Sequence, residues 1–309
     1  LAGLVLLPLA AFFSLEPGAL AASLDADLLN IWGPGGLSLP NALTLVSYAA
    51  IGIGFLGSPQ VFVRFMAIRD ESDVRAGRWV AIAFTILTDT GAVMAGLMGR
   101  ALLVGPEGDV ATVIGPAGED VLPVLVEHLF PALIVGLFVA AVLAAIMSTI
   151  DSLLMVASSA VTRDVYQQTL HPEHAGETLT GLSRRVTLVL GLVALGMALT
   201  VATAAPGRTI FWYVIFGWSG IAATFCPVMV LSLVWPRYNA WGALASMITG
   251  MVAVPLFKFA VPLVPGWGPL VARAEELAPA FLVALLAGVL ATLVTSEPAA
   301  EAPRTTGAV

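Results

Sequence analysis

AAIMSTIDSLLMVASSAVTRDVY, residues 144–166, sets two hydroxyls, a carboxylate and a third hydroxyl where an apolar helix should carry hydrocarbon. The run before it, PALIVGLFVAAVL (131–143), has no charge and is long enough to lead into a membrane span. At 3.6 residues per turn Ala145, Ser148, Thr149 and Ser152 stand at i, i+3, i+4 and i+7, so they share one face. Leu143, Ile146, Ile150 and Leu153 cover much of the rest. The spacing predicts a polar stripe turned toward the protein interior, away from lipid.

Composition points the same way. The 309 residues are 59% hydrophobic and only 11% charged, with a mean hydropathy of +0.98. Soluble domains carry about 25% charged residues, so this is a polytopic α-helical membrane chain. The alternating short segments of a barrel are absent from the sequence. Eight apolar segments are expected at about 1–15, 41–66, 79–103, 131–162, 186–204, 211–235, 240–262 and 279–295. Connections 16–40, 104–130 and 263–278 are rich in Gly and Pro and read as loops, and the tail 296–309 reads as disordered. The chain opens on LAGLVLLPLAAFFSL without Met, so segment 1–15 is expected to be the end of a longer span in an N-terminally truncated chain. Such a piece is expected not to transport by itself. Cys226 is the sole cysteine, which leaves no intrachain disulfide.

Basic residues orient the spans. Arg64, Arg69, Arg75, Arg78, Arg163, Arg184, Arg185, Arg237 and Arg304 fall on one side, and Arg100, Arg208, Lys258 and Arg273 on the other. The first group is expected in the cytoplasm, with the C-terminus beside it and the Gly/Pro-rich loops outside.

Chemistry follows from the stripe. Ser and Thr hydroxyls bond back to carbonyls one turn earlier. A carbonyl with two hydroxyls is a small, hard, neutral oxygen cage, suited to a hard cation. With so few fixed charges, sodium fits better than calcium, which draws on several carboxylates. Simple helix packing is the alternative, since Ser and Thr often line membrane helix contacts. Asp151 weighs against it, because an intramembrane acid marks an ion path by default. It is expected to ligate a second cation, take a proton or pair with a base. Asp89 reads as a helix-packing acid bonded to Thr85 or a neighbouring helix. No second acid, paired His or nucleophile elbow stands beside Ser148 or Asp151, so an enzyme is not expected. No filter-like repeat of carbonyl donors suggests a channel.

Segment 41–66 is not a plain helix either. Gly52, Gly54 and Gly57 precede Ser58–Pro59, and both Gly and Pro weaken a helix. Carbonyls freed there must face protein or a wet cavity. Either a simple proline kink or a discontinuous binding-site helix fits. Gly217, Gly220 and Pro227 in segment 211–235 read as a kink.

The quoted stretch resembles the signature of the sodium/solute symporter family. GFLGSPQVFVRFMAIR (54–69) and FGWSGIAATFCPVMVLSLVWPR (216–237) look like two further blocks of its sodium/proline symporter branch. The resemblance implies a leucine-transporter-like fold of five-plus-five inverted repeats. Residues 41–235 would be the second repeat, 1–15 the last helix of the first, and 236–295 two added spans. It implies sodium at the Ala145 carbonyl and the Ser148 and Thr149 hydroxyls, with other ligands in a missing N-terminal half. A second sodium in some members maps onto Ser148, Asp151 and Ser152. Ile51, Phe55, Gly57, Ser58, Pro59, Trp218 and Phe225 would line the solute pocket. In the proline branch, aromatics precede the proline by eight and four positions; here these are Ile51 and Phe55, so an aliphatic residue replaces one ring. The implied activity is sodium-coupled symport of proline or a related amino or organic acid in a bacterial inner membrane, with no other cofactor and no nucleic acid. A transporter-like sensor, or a symporter of sugars or carboxylates, is the alternative.

Overall fold

The computed structural model describes residues 2–24, 30–106, 108–174, 179–204, 209–266 and 268–295. The tail expected at 296–309, with Arg304, and the loop base Arg208 lie outside the described residues. In chain order the helices are α1 (Ala2–Ser14), α2 (Ala19–Ser23), α3 (Leu39–Ile53), α4 (Pro59–Met66), α5 (Glu71–Gly99), α6 (Val110–Ile114), α7 (Val121–Leu129), α8 (Ala132–Ser159), α9 (Thr180–Ala204), α10 (Ile210–Val234), α11 (Ala240–Pro255), α12 (Gly268–Val271) and α13 (Leu277–Thr295). No strand occurs among the described residues. Among the described residues, seven helical runs are long and apolar enough to cross a membrane, and α1 is a shorter apolar helix. The protein is therefore all-α and multi-pass.

Local chemistry sets the helix starts. Ser38 caps α3, its hydroxyl accepting from the Asn41 amide at 3.4 Å, and Pro40 lies in the first turn where no amide is needed. α5 begins well before its apolar part, because Asp70, Glu71 and Asp73 put negative charge at the helix N-terminus. Asn239 caps α11 by accepting from the Gly242 amide at 2.9 Å.

The chain forms two compact units. The first holds α1, α2 and α5 through α9. Its core is Leu7 and Ala11 of α1, Met98 of α5 and Leu125 and Val126 of α7. The connection 104–130, expected to be a loop, thus contains two helices, and α7 contributes to the core. Its Gly and Pro residues mark the breaks between short helices instead of a continuous irregular stretch. Likewise α2 lies within 16–40 and α12 within 263–278.

The second unit holds α3, α4, residues 211–234 of α10, and α11 through α13. In α11, Gly242, Ser246 and Gly250 recur every fourth residue; in α13, Ala280, Ala284, Gly288 and Thr292 do the same. Lipid is as apolar as leucine, so close approach between small residues drives such contacts in membranes. The Ser246 hydroxyl donates to the Ala284 carbonyl at 2.9 Å, and Tyr238 donates to Ser246 at 3.1 Å. α10 runs unbroken through Pro227, as the kink reading of that segment expects. Proline cannot donate to the Ala223 carbonyl four residues back. Gly250 of α11 packs against that carbonyl, where any side chain would collide.

Candidate functional site

Two constellations carry the expected chemistry, one in each unit. In the first, α8 continues without a break from Ala132 to Ser159, so the stripe lies on regular helix. The Ser148 hydroxyl donates to the Ala145 carbonyl at 2.9 Å, and the Thr149 hydroxyl donates to the same oxygen at 3.1 Å. Ser152 repeats the pattern one turn on, donating to the Ser148 carbonyl at 2.9 Å. Three oxygens therefore gather at Ala145, Ser148 and Thr149. A hydroxyl that donates its proton keeps two lone pairs for another partner. The Ala145 carbonyl is crowded instead, because it also takes the helical amide of Thr149. At least one hydroxyl must turn away before that carbonyl could meet a cation.

Among the described residues nothing covers the stripe; the interior it is expected to face is that of a longer protein. Ala145, Ser148, Thr149 and Asp151 are exposed and Ser152 is half-buried. Each of the Ser148, Thr149 and Ser152 hydroxyls is satisfied within its own helix. The Asp151 and Asp89 carboxylates are exposed and have no hydrogen-bond partner among the described residues. Asp89 is not bonded to Thr85; Thr88 takes the carbonyls of Phe84 and Thr85 at 2.9 and 3.0 Å. No group of three or more His, Cys, Asp or Glu could hold a metal among the described residues.

In the second unit the helix break is present. α3 ends at Ile53, a tight 3₁₀ turn covers Gly54–Leu56, Gly57 leaves the helix at φ −113° and ψ 5°, and α4 starts at Pro59. Carbonyls at the end of α3 meet α10. The Trp218 indole donates to the Ile51 carbonyl at 3.0 Å, and the Cys226 thiol lies 3.2 Å from the Ile53 carbonyl. The Phe55 ring stacks obliquely on Trp218, with centroids 4.7 Å apart. Gly57 sits directly on the α10 backbone at Phe225–Cys226, where an added methyl would lie 2.5 Å from the Cys226 nitrogen. So Ile51, Phe55, Gly57, Trp218 and the Phe225 backbone converge on one break. Ser58 is fully buried beside it, and its hydroxyl lacks a partner among the described residues. Ser219, next to Trp218, is in the same position.

Three features went unread in the sequence. Cys226 has the spacing of an ordinary core residue, and nothing in the sequence marks it as the donor that closes the break. Lys258 reaches Glu275 at 3.0 Å and the fully buried Glu276 at 2.9 Å, with Trp212 under its ammonium at 5.1 Å. The signal existed: the one base of its apolar segment and two adjacent acids flank a short connection. A polar basin between α8 and α9, lined by Arg163 and Arg184, was also missed.

The comparisons with known proteins agree on one assignment. The model of the sodium:solute symporter family matches residues 1–250. The chain is 33% identical to the osmoregulated proline transporter OpuE of Bacillus subtilis, over 99% of this chain and 59% of that protein. It is 33% identical to the high-affinity proline transporter PutP of the same organism, over 96% of this chain and 60% of that protein. It is 32% identical to the sodium/proline symporter of Salmonella typhimurium, over 84% of this chain and 49% of that protein. The chain thus spans about half to three fifths of the length of these relatives.

Proposed function

Because this chain belongs to the sodium:solute symporter family, we propose that its protein couples sodium entry to uptake of a small organic solute, proline or a related amino or organic acid. The observation that carries this reading is the oxygen cluster at Ala145, Ser148 and Thr149 within an otherwise apolar span. Sodium is cargo there: it displaces a hydroxyl proton contact from the Ala145 carbonyl and takes the outward lone pairs of Ser148 and Thr149. Its other ligands come from parts of the whole protein that these 309 residues do not span, as the greater length of the relatives allows. A second sodium would use Ser148, Asp151 and Ser152.

Solute binds at the α3 break. Phe55 and Trp218 offer an aromatic wall, while Ile51, Gly57, Ser58, Pro59 and Phe225 shape the remainder. Backbone groups at an interrupted span can bind a polar solute at membrane depth. The aliphatic side chain of Ile51 favours a second reading, in which the solute is an amino or organic acid other than proline. Residues 41–235 act as one inverted repeat, preceded by the span at 1–15 and followed by two added spans within 236–295. The excess of arginines on one side supports a cytoplasmic C-terminus in a protein of a bacterial inner membrane. A membrane potential adds about 2.3 kcal/mol per charge per 100 mV to sodium entry.

The test is uptake by the full-length protein in proteoliposomes, with sodium varied. In the Ser148→Ala/Thr149→Ala variant the half-saturating sodium concentration should rise by roughly 30-fold or more, about 2 kcal/mol. Solute uptake driven equally well by sodium in that variant sinks the site.

A further inference from the structure

We propose that the basin between the ends of α8 and α9 binds a phosphate ester, presented by an anionic lipid headgroup at the membrane surface. After Ser159 the helical path of α8 runs on as a wider π-type coil through Leu170, so the whole run from Ala132 is 39 residues long. At about 1.5 Å per residue that is nearly 60 Å, about twice the hydrocarbon thickness of a bilayer. The run must therefore leave the hydrocarbon. Arg163 is the first basic residue after its apolar part, and Arg184 precedes the apolar part of α9. Both arginines thus stand at the level where apolar sequence stops, which is the level of lipid phosphates.

The basin has a volume of about 710 Å³. Arg163, Arg184, Ser159 and Thr180 line it, and all four are exposed. Neither arginine has a carboxylate within ion-pair distance among the described residues, although Asp164 follows Arg163 in sequence. Ser159 and Thr180 likewise have no hydrogen-bond partner among the described residues. Two guanidinium forks, which only donate, and two hydroxyls, which can donate, suit phosphate oxygens. The floor is rigid: the Ser158 hydroxyl bonds the Ser183 carbonyl at 3.1 Å, and the buried Thr162 bonds the Ser158 carbonyl at 2.8 Å. α8 and α9 are thereby pinned together beneath the open donors. The apolar flank of Met155 leaves room for a glycerol or acyl stem. Arginine is favoured near an anionic membrane surface, and two forks lining one basin add geometry to that attraction.

The experiment titrates the full chain in neutral detergent with short-chain phosphatidylglycerol, phosphatidylcholine or inorganic phosphate, and reads thermal stability and native mass spectra. Phosphatidylglycerol should bind at least tenfold more tightly than phosphatidylcholine. An Arg163→Gln/Arg184→Gln variant should lose that preference, while Arg69→Gln, at an exposed arginine outside the basin, keeps it. If inorganic phosphate alone competes at equal concentration and the double variant abolishes it, the phosphate site stands and its source is soluble. Equal binding of both lipids without a phosphate effect overturns the proposal. So does a phosphatidylglycerol preference unchanged in the double variant, because the arginines then serve only membrane orientation. Circular dichroism of the variants checks that the helices remain.

Discussion

The α8 stripe and the α3 break both put polar atoms into apolar sequence, and they satisfy those atoms in opposite ways. On the α8 stripe the Ser148, Thr149 and Ser152 hydroxyls are each bonded to a carbonyl three or four residues back in the same helix. At the break, carbonyls at the end of one helix are met by side chains of another, more than 160 residues further on. The first arrangement needs no neighbour and can therefore exchange its partner for an ion at little cost to the fold. The second is a tertiary closure, and the fold depends on it. Stability should thus be sensitive at the break and insensitive at the stripe.

The largest effect is expected at Gly57. Replacement by Val places a branched side chain on the Cys226 backbone, which cannot retreat without moving α10. Overpacking of this kind costs about 1–3 kcal/mol, and detergent melting curves should fall accordingly, with uptake lost. Trp218→Phe comes next. It preserves a ring against Phe55 but removes one of two donors to the Ile51 carbonyl, which keeps the Gly54 amide, so the net loss of one hydrogen bond, about 0.5–1.5 kcal/mol, is expected. A melting temperature equal to the parent's would mean that the carbonyl finds another partner. Cys226→Ala removes a weaker donor, and a loss of about 1 kcal/mol or less is expected in the same assay. The smallest change should come from the stripe: Ser148→Ala/Thr149→Ala should shift stability by less than about 0.5 kcal/mol while altering sodium dependence strongly. A large destabilisation there would erase the contrast between the two regions and recast the hydroxyls as packing groups.

Spans and the break were legible because their causes are local. Apolar length and the glycines before Pro59 act within a few residues. The unbroken course of α10 through Pro227 was legible for the same reason. What lies opposite each element was not. The stripe pattern implies a buried face, and nothing among the described residues covers it. α7 was hidden in a stretch whose Gly and Pro residues dominate its composition, although Leu125 and Val126 are core residues. Trp218 could be singled out as an aromatic near the break. Its indole's bond to Ile51 depends on how α10 lies beside α3, which no spacing within either segment encodes. The Lys258–Glu276 pair is a middle case, readable once the connection between α11 and α13 is taken as a tight hairpin.

That hairpin has a mechanical consequence. Residues 272–274 lean on α3, Lys258 holds the neighbouring Glu276 to the end of α11, and α11 is zipped to α13 along small residues. The portion of chain before Gly57 is therefore coupled to a stiff three-helix brace, whereas α4, past the interruption, buries no residue of its own. Any swing within this unit would pivot at Gly57, with α4 as the moving arm and the brace as the anchor.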